Sequence, residues 1–189
     1  LDRAEQLIQG VLDGAEDVPV TLKMRLGWDQ KSKNAPELAQ IAQRLGVTLV
    51  TVHGRTRQDF YDGEADWLAI RDVVDAVAIP VIANGDITDV SSAKLALAQS
   101  GAAGVMVGRA ATGLAWLPSA IEESLSSGKP LREPVIATQI DSLMAQARDS
   151  VELYGERTGM RVIRKHLAGA FDHWARSSGP DMARKLQSL

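Results

Sequence analysis

Residues 79–110 decide the fold: they open with IPVIANGDI (79–87), pass through a helical spacer and close with GVMVGRA (104–110). Two short apolar runs, Val81-Ile82-Ala83 and Val105-Met106-Val107, each end in small or polar residues, Asn84-Gly85-Asp86 and Gly108-Arg109. Apolar throughout rather than alternating, they read as parallel strands with helices on both faces of the sheet. The intervening VSSAKLALA (90–98) has helix-forming composition, with Asp89 placed to cap its start and Gly101 to stop it. The result is strand, helix, strand. A (β/α) barrel keeps its chemistry just beyond the C-terminal ends of its strands, and its last two such loops commonly hold a phosphate. Glycine lets a phosphate approach the backbone amides, and Arg109 adds a cation with forked donors. The two loops together predict a phosphate-bearing ligand.

Working outward, the 189 residues suit one domain of ordinary size, or one with a small appendage. Apolar residues make up 45% and charged residues 24%, the balance of a globular chain. No run approaches the ~18 uncharged apolar residues of a membrane span, and no signal peptide is recognisable, so no membrane partner is expected. Without cysteine there is no disulfide, thiolate nucleophile or Cys-ligated zinc. His53, His166 and His173 lie too far apart for a local metal motif, and no metal is expected. A start at Leu1 instead of methionine predicts a processed, trimmed or partial chain. The net charge of −3 hides an asymmetry: residues 1–147 carry 13 basic and 19 acidic side chains, and residues 148–189 carry 8 and 5. A basic tail on an acidic body predicts an anionic partner there.

Upstream, Ala4, Leu7, Ile8, Val11 and Leu12 recur at helical spacing and Gly14 closes that helix. VTLKMRLGW (20–28) reads as a strand interrupted by Lys23 and Arg25, two charges that share one face and can point into a barrel mouth. A second helix runs over 36–45, from Pro36 to the residue before Gly46. The strand 47–52 then ends in His53-Gly54-Arg55-Thr56-Arg57, and a third helix over 66–77 leads back to Ile79. Strands alternating with helices of this length predict a parallel α/β sheet. Four strands are half of an eight-stranded barrel. The first strand-to-helix loop lacks G-x-G-x-x-G, which weakens a dinucleotide-binding alternative.

Beyond Arg109, the Ser127-Gly128-Lys129-Pro130 loop is the predicted boundary, giving a barrel part over 1–128 and a helical part over 129–189. Ile140, Leu143, Met144, Ala147, Val151 and Tyr154 form one helical stripe, and Ile163, Leu167, Ala170, Phe171 and Trp174 another. Both predict the core faces of a small helical bundle. The second helix also carries Arg157, Arg161, Arg164 and Lys165, a candidate anion-binding side.

VTLKMRLGW, TVHGRTRQDFYDGEADW (51–67), IPVIANGDI and GVMVGRA, in this order and spacing, closely resemble the flavin-dependent tRNA-dihydrouridine synthases of bacterial type. The resemblance covers nearly the whole chain. It implies an FMN-binding TIM barrel followed by a helical tRNA-binding domain, and NADPH-driven reduction of the C5=C6 bond of particular uracils in tRNA. Carried over residue by residue, it implies FMN contacts from Lys23, His53, Asn84, Gly85, Asp86, Gly108 and Arg109. It implies tRNA contacts from Arg55 and Arg57 and from the RVIRKH segment, through Arg161, Arg164, Lys165 and His166. A cytoplasmic location and a monomeric parent follow from the same resemblance.

One departure matters. The general acid of that family is a cysteine in the N-terminal half of the barrel, and this chain has no cysteine. The expectation is therefore the C-terminal half of a reductase barrel plus its RNA-binding domain, with no catalytic residue of its own. Alone it would be inactive, and its open edges would make it self-associate. Two alternatives are a flavin barrel reducing a small molecule, with the helical tail used for oligomerisation, and a non-catalytic RNA- or protein-binding module without flavin.

Overall fold

A computed structural model describes residues 1–177. Four α-helices and four strands alternate in its first part: α1 (Asp2–Ala15), β1 (Thr21–Arg25), α2 (Ala35–Leu45), β2 (Leu49–His53), α3 (Leu68–Ala76), β3 (Val81–Asn84), α4 (Val90–Ser100) and β4 (Gly104–Met106). A short 3-10 turn (Arg109–Ala111), α5 (Leu117–Ser127), α6 (Ile136–Tyr154) and α7 (Glu156–Ser177) follow. The sequence forms these elements for local reasons. Asp89 accepts from the Ser92 amide at 2.7 Å while Ser92 Oγ accepts from the Asp89 amide at 3.0 Å, a complete capping box that starts α4. Gly46 and Gly101 end α2 and α4 in the left-handed conformation predicted for helix stops.

The strands are all parallel and lie in chain order, β1-β2-β3-β4. A doubly wound sheet reverses its order at a switch point. This sheet does not, and it fits part of a TIM barrel. Register fixes what each face carries. Paired rows set Leu22 beside Val50, and Met24 beside Val52, Ala83 and Val105. The alternate rows set Lys23 beside Thr51, Ile82 and Gly104, and Arg25 beside His53, Asn84 and Met106.

Every sheet residue in the main apolar core comes from the first set, with Val81 beside Val50. Those residues meet Ile8 of α1, Ala35, Ala39 and Ala42 of α2, and Ile70 and Val73 of α3. Helices therefore cover one face of the sheet, which corrects the expectation of two covered faces. Short strands such as Val-Ile-Ala cannot distinguish the two cases, because Ile82 is apolar on the other face as well.

The chain divides into two compact units at Gly108 and Arg109. The predicted division at residue 128 was drawn from loop composition; α5 groups with the later helices, so the unit boundary falls twenty residues earlier. Within the second unit α6 and α7 pack on each other as a helical hairpin turned at Gly155, with Leu143, Ala170 and Trp174 in its core. Among the described residues no helix is long and apolar enough to cross a membrane.

Candidate functional site

The polar row at the C-terminal ends of β1, β2 and β3 gathers three of the expected ligand residues on one face: Lys23, His53 and Asn84. Sequence alternation places them there, since each stands an even number of positions from its strand's other inward residues. Asn84 donates from Nδ2 to the Met106 carbonyl at 2.8 Å, tying β3 to the end of β4. Lys23 and Arg25 stand two residues apart on the same face. Among the described residues Lys23 has no ion-pair partner, and partial burial together with the Arg25 charge pulls its pKa below the ordinary lysine value. Arg25 donates to the Thr56 carbonyl at 2.6 Å and lies over the Tyr61 ring at 5.7 Å.

His53 is 8% exposed. Burial, then the Arg25, Lys23 and Arg55 charges, push its pKa down to about 4 against the opposing pull of Asp86. The ring is therefore neutral at pH 7. Gly85 explains part of this enclosure. At φ 111° it has a conformation that side chains rarely adopt, and a Cβ there would run into His53 and Ala65.

The loop Asn84-Gly85-Asp86 is held by the segment after β2. Trp67 Nε1 donates to the Gly85 carbonyl at 3.0 Å, and the Ala65 amide donates to Asp86 Oδ2 at 2.8 Å. Arg55 completes the clamp with a bidentate pair to Asp86, at 2.9 Å to Oδ1 and 2.7 Å to Oδ2. It also donates to the Asp62 carbonyl at 3.0 Å and the Gly63 carbonyl at 2.6 Å. The most specific motif of the sequence is thus largely an internal brace. Arg55, expected at the tRNA backbone, is 3% exposed, with its guanidinium turned inward and held in this brace. Asp86, expected among the cofactor contacts, directs its carboxylate to Arg55 and Ala65.

Arg57 differs from Arg55 in every respect. It is exposed and lies over Phe60 at 4.4 Å, with the exposed aromatics Trp28 and Tyr61 on the neighbouring loops. Arg25, Phe60 and Tyr61 are the residues that the motif-based selection missed. Strand alternation marks Arg25, since it must share the face of Lys23. The Phe-Tyr pair lies inside the recognised motif but carries no local signal of exposure. A cavity of about 510 Å³ lies between Glu64, Ala65, Trp67, Asp86, Leu95 and Gln99. Neither Lys23, His53 nor Asn84 lines it, so the polar row and not this cavity is the candidate site.

Gly108 ends the first unit, exposed and with open space where a Cβ would stand; Arg109 begins the second. In α7, Arg157, Arg161, Arg164 and Lys165 are all exposed, on the side away from Gly159, Ile163 and Ala170, which are buried. His166 is different. It is half-buried, its Nδ1 accepts from the Gly113 amide at 3.4 Å, and burial followed by the Lys165 charge lowers its pKa. A neutral imidazole engaged in this way adds no cation to the stripe. Gly113 is needed for that approach, because a Cβ there would meet the backbone of His166 and Ala170.

Parallel βα units in chain order, with cations and an imidazole on the inward face, fit part of a TIM barrel. A family model described as dihydrouridine synthase (Dus) matches residues 1–181, and the chain belongs to that family. A probable tRNA-dihydrouridine synthase of Rickettsia bellii is 50% identical over 169 residues, which is 89% of this chain and 50% of the relative. One from Rickettsia conorii is 47% identical over 186 residues, covering 97% and 55%. The tRNA-dihydrouridine synthase B of Proteus vulgaris is 40% identical over 167 residues, covering 88% and 51%. The chain spans about half the length of the curated relatives it matches.

Proposed function

We propose that this chain is the flavin- and tRNA-binding part of a tRNA-dihydrouridine synthase. One observation carries the reading: two cations, Lys23 and Arg25, share the inward face of the sheet with a neutral His53 and Asn84, and among the described residues Lys23 has no carboxylate to pair with. Such a row favours an electron-rich, anionic, planar group, and FMN fits it. When bound, FMN supplies a hydride to C6 of a uracil and is itself recharged by NADPH. Lys23 would stabilise negative charge on the ring, and His53 and Asn84 would orient polar atoms at its edge. Gly108 and Arg109 are proposed, from the sequence motif, as the phosphate grip.

The target base is stacked in folded tRNA and has to be flipped out before it can be reduced. Exposed aromatics beside Arg57 suit unstacked bases, and the exposed Arg161, Arg164 and Lys165 suit phosphates. His166 and Arg55 are left out of the proposed tRNA contacts for the reasons given above. The general acid is assigned outside this chain, which has no cysteine; the relatives are about twice as long. In the first unit β1 and β4 each have one unpaired edge. Alone, the chain is expected to self-associate through such edges, which light scattering would show.

The decisive test is chemical. Deleting the gene should remove dihydrouridine from specific tRNA positions, read by mass spectrometry, and a Lys23→Met copy should restore little. Unchanged dihydrouridine after deletion overturns the proposal. Arg109→Ala should weaken FMN retention on dialysis by about 1.5–3 kcal/mol, the range of a charged hydrogen bond.

A further inference from the structure

Arg55 is buried, fully engaged and unused by the proposed chemistry, yet it touches the one imidazole on the ligand-facing row. We propose that Arg55 is a positioning residue: clamped on Asp86, it holds His53 as a neutral imidazole with its proton on Nδ1, so that the site meets its ligand with an uncharged hydrogen-bond donor.

The tautomer follows from the inventory of donors. A guanidinium has only N–H donors and no acceptor. Where Arg55 Nη1 faces His53 Nε2 at 3.4 Å, Nε2 must be the acceptor, and the single proton of the neutral ring lies on Nδ1. The contact is long, but Arg55 has no freedom to leave it. Its Nε and Nη2 are held by the carbonyls of Asp62 and Gly63, and its fork is held by both oxygens of Asp86.

The ring is fixed from the other side as well. Gly85 packs against the Cδ2–Nε2 edge so closely that a Cβ would collide with it. The Nδ1 edge faces away from that loop and has no hydrogen-bond partner among the described residues. The charged and titratable groups around the ring are Lys23 and Arg25 on β1, Arg55 and Tyr61 after β2, and Asp86 after β3. Burial first, and then three cations against one carboxylate, oppose an imidazolium, in keeping with a pKa of about 4.

Charge and hydrogen bonding are thereby separated in this site. Lys23 and Arg25 supply the positive field, and His53 supplies a neutral N–H for a carbonyl oxygen or ring nitrogen of a planar heterocycle. Only the identity of that heterocycle rests on the proposed function; the tautomer does not.

Long-range proton–nitrogen correlation NMR on the chain, labelled at histidine and assigned with His53→Gln, reads tautomer and titration together. The unmodified chain should show His53 as the Nδ1–H form at about pH 7, with no titration down to about pH 5. Arg55→Gln should raise the His53 protonation constant severalfold and let the Nε2–H form appear. Asp86→Asn removes the negative neighbour of the ring among the described residues and should not raise it. Arg55→Lys keeps the charge without the fork, so the ring should stay neutral at about pH 7 while the single tautomer is lost.

An Nε2–H form in the unmodified chain overturns the proposal, as does an unmoved tautomer and titration in Arg55→Gln. If Arg55→Gln does not fold, the unmodified chain and Arg55→Lys decide. FMN titration, run separately, keeps the two ideas apart. Failure to bind flavin would sink the proposed function and leave the tautomer standing.

Discussion

The two faces of the sheet are made from the same four strands and do opposite work. On one, Val50, Val52, Val81 and Ala83 are sealed under α2 and α3 with no polar group among them. On the other, one residue along each strand, stand Lys23, Arg25, His53 and Asn84. Stability is concentrated on the first face and chemistry on the second. A strand can serve both because its side chains alternate, so one substitution reaches one function at a time.

The largest expected effect tests that separation directly. Val52→Asn places an amide in the sealed core with no partner and should cost about 3 kcal/mol or more, measured by urea unfolding. Ile82→Asn, on the partly exposed opposite row, should cost under about 1 kcal/mol. Equal losses would mean that the second face is as much a core as the first.

The next effect concerns the brace. Asp86→Asn keeps the shape and tolerates the positive φ of 54° but leaves the Arg55 guanidinium buried without its counter-charge. Because the Asp86 side chain is partly exposed, a loss of about 2 kcal/mol is expected rather than the full cost of a broken buried pair. Arg57→Gln should change stability by less than about 0.5 kcal/mol. If both substitutions cost the same, the assignment of Arg55 as brace and Arg57 as surface cation fails.

A pH effect is third in size. The His53 pKa is depressed in the folded chain, so as pH falls the unfolded chain takes up the proton first. The stabilisation is complete above about pH 6.5 and is lost as pH falls toward about 4. His53→Gln should flatten this part of the stability profile, and an unchanged slope would show that other groups produce it. The smallest effect has the opposite sign. Lys23→Met removes a charge that burial and Arg25 disfavour and should stabilise the fold by a few tenths of a kcal/mol while weakening flavin binding. A destabilised variant would mean that Lys23 has a structural partner.

Much of this was legible in the sequence. The βα alternation, the Asp89 cap and the Gly101 stop are local signals and were readable as such. The placement of Lys23, His53 and Asn84 on one face was readable in part, because alternation places Lys23 and Arg25 together. What was not readable depends on distant partners. Arg55 and Arg57 look equivalent in HGRTR, and only Asp86, 31 residues further on, turns one of them inward. His166 looks like a member of a basic stripe until Gly113 supplies its amide from 53 residues away. The compact units meet at Gly108 and Arg109, a junction that composition marks less strongly than the Gly-Lys-Pro loop twenty residues on.

The helical hairpin of α6 and α7 also sets an order of events. Its two helices meet across the single residue Gly155, with Gly159 lying against Ser150, so its contacts join positions close in the chain. The sheet is the opposite case: each rung joins residues a whole βα unit apart, as Thr21 does with Leu49 and Val50 with Val81. Local pairings form quickly and distant parallel ones slowly. On the ribosome the sheet is made before the hairpin and has that interval in which to pair. The hairpin needs little such time.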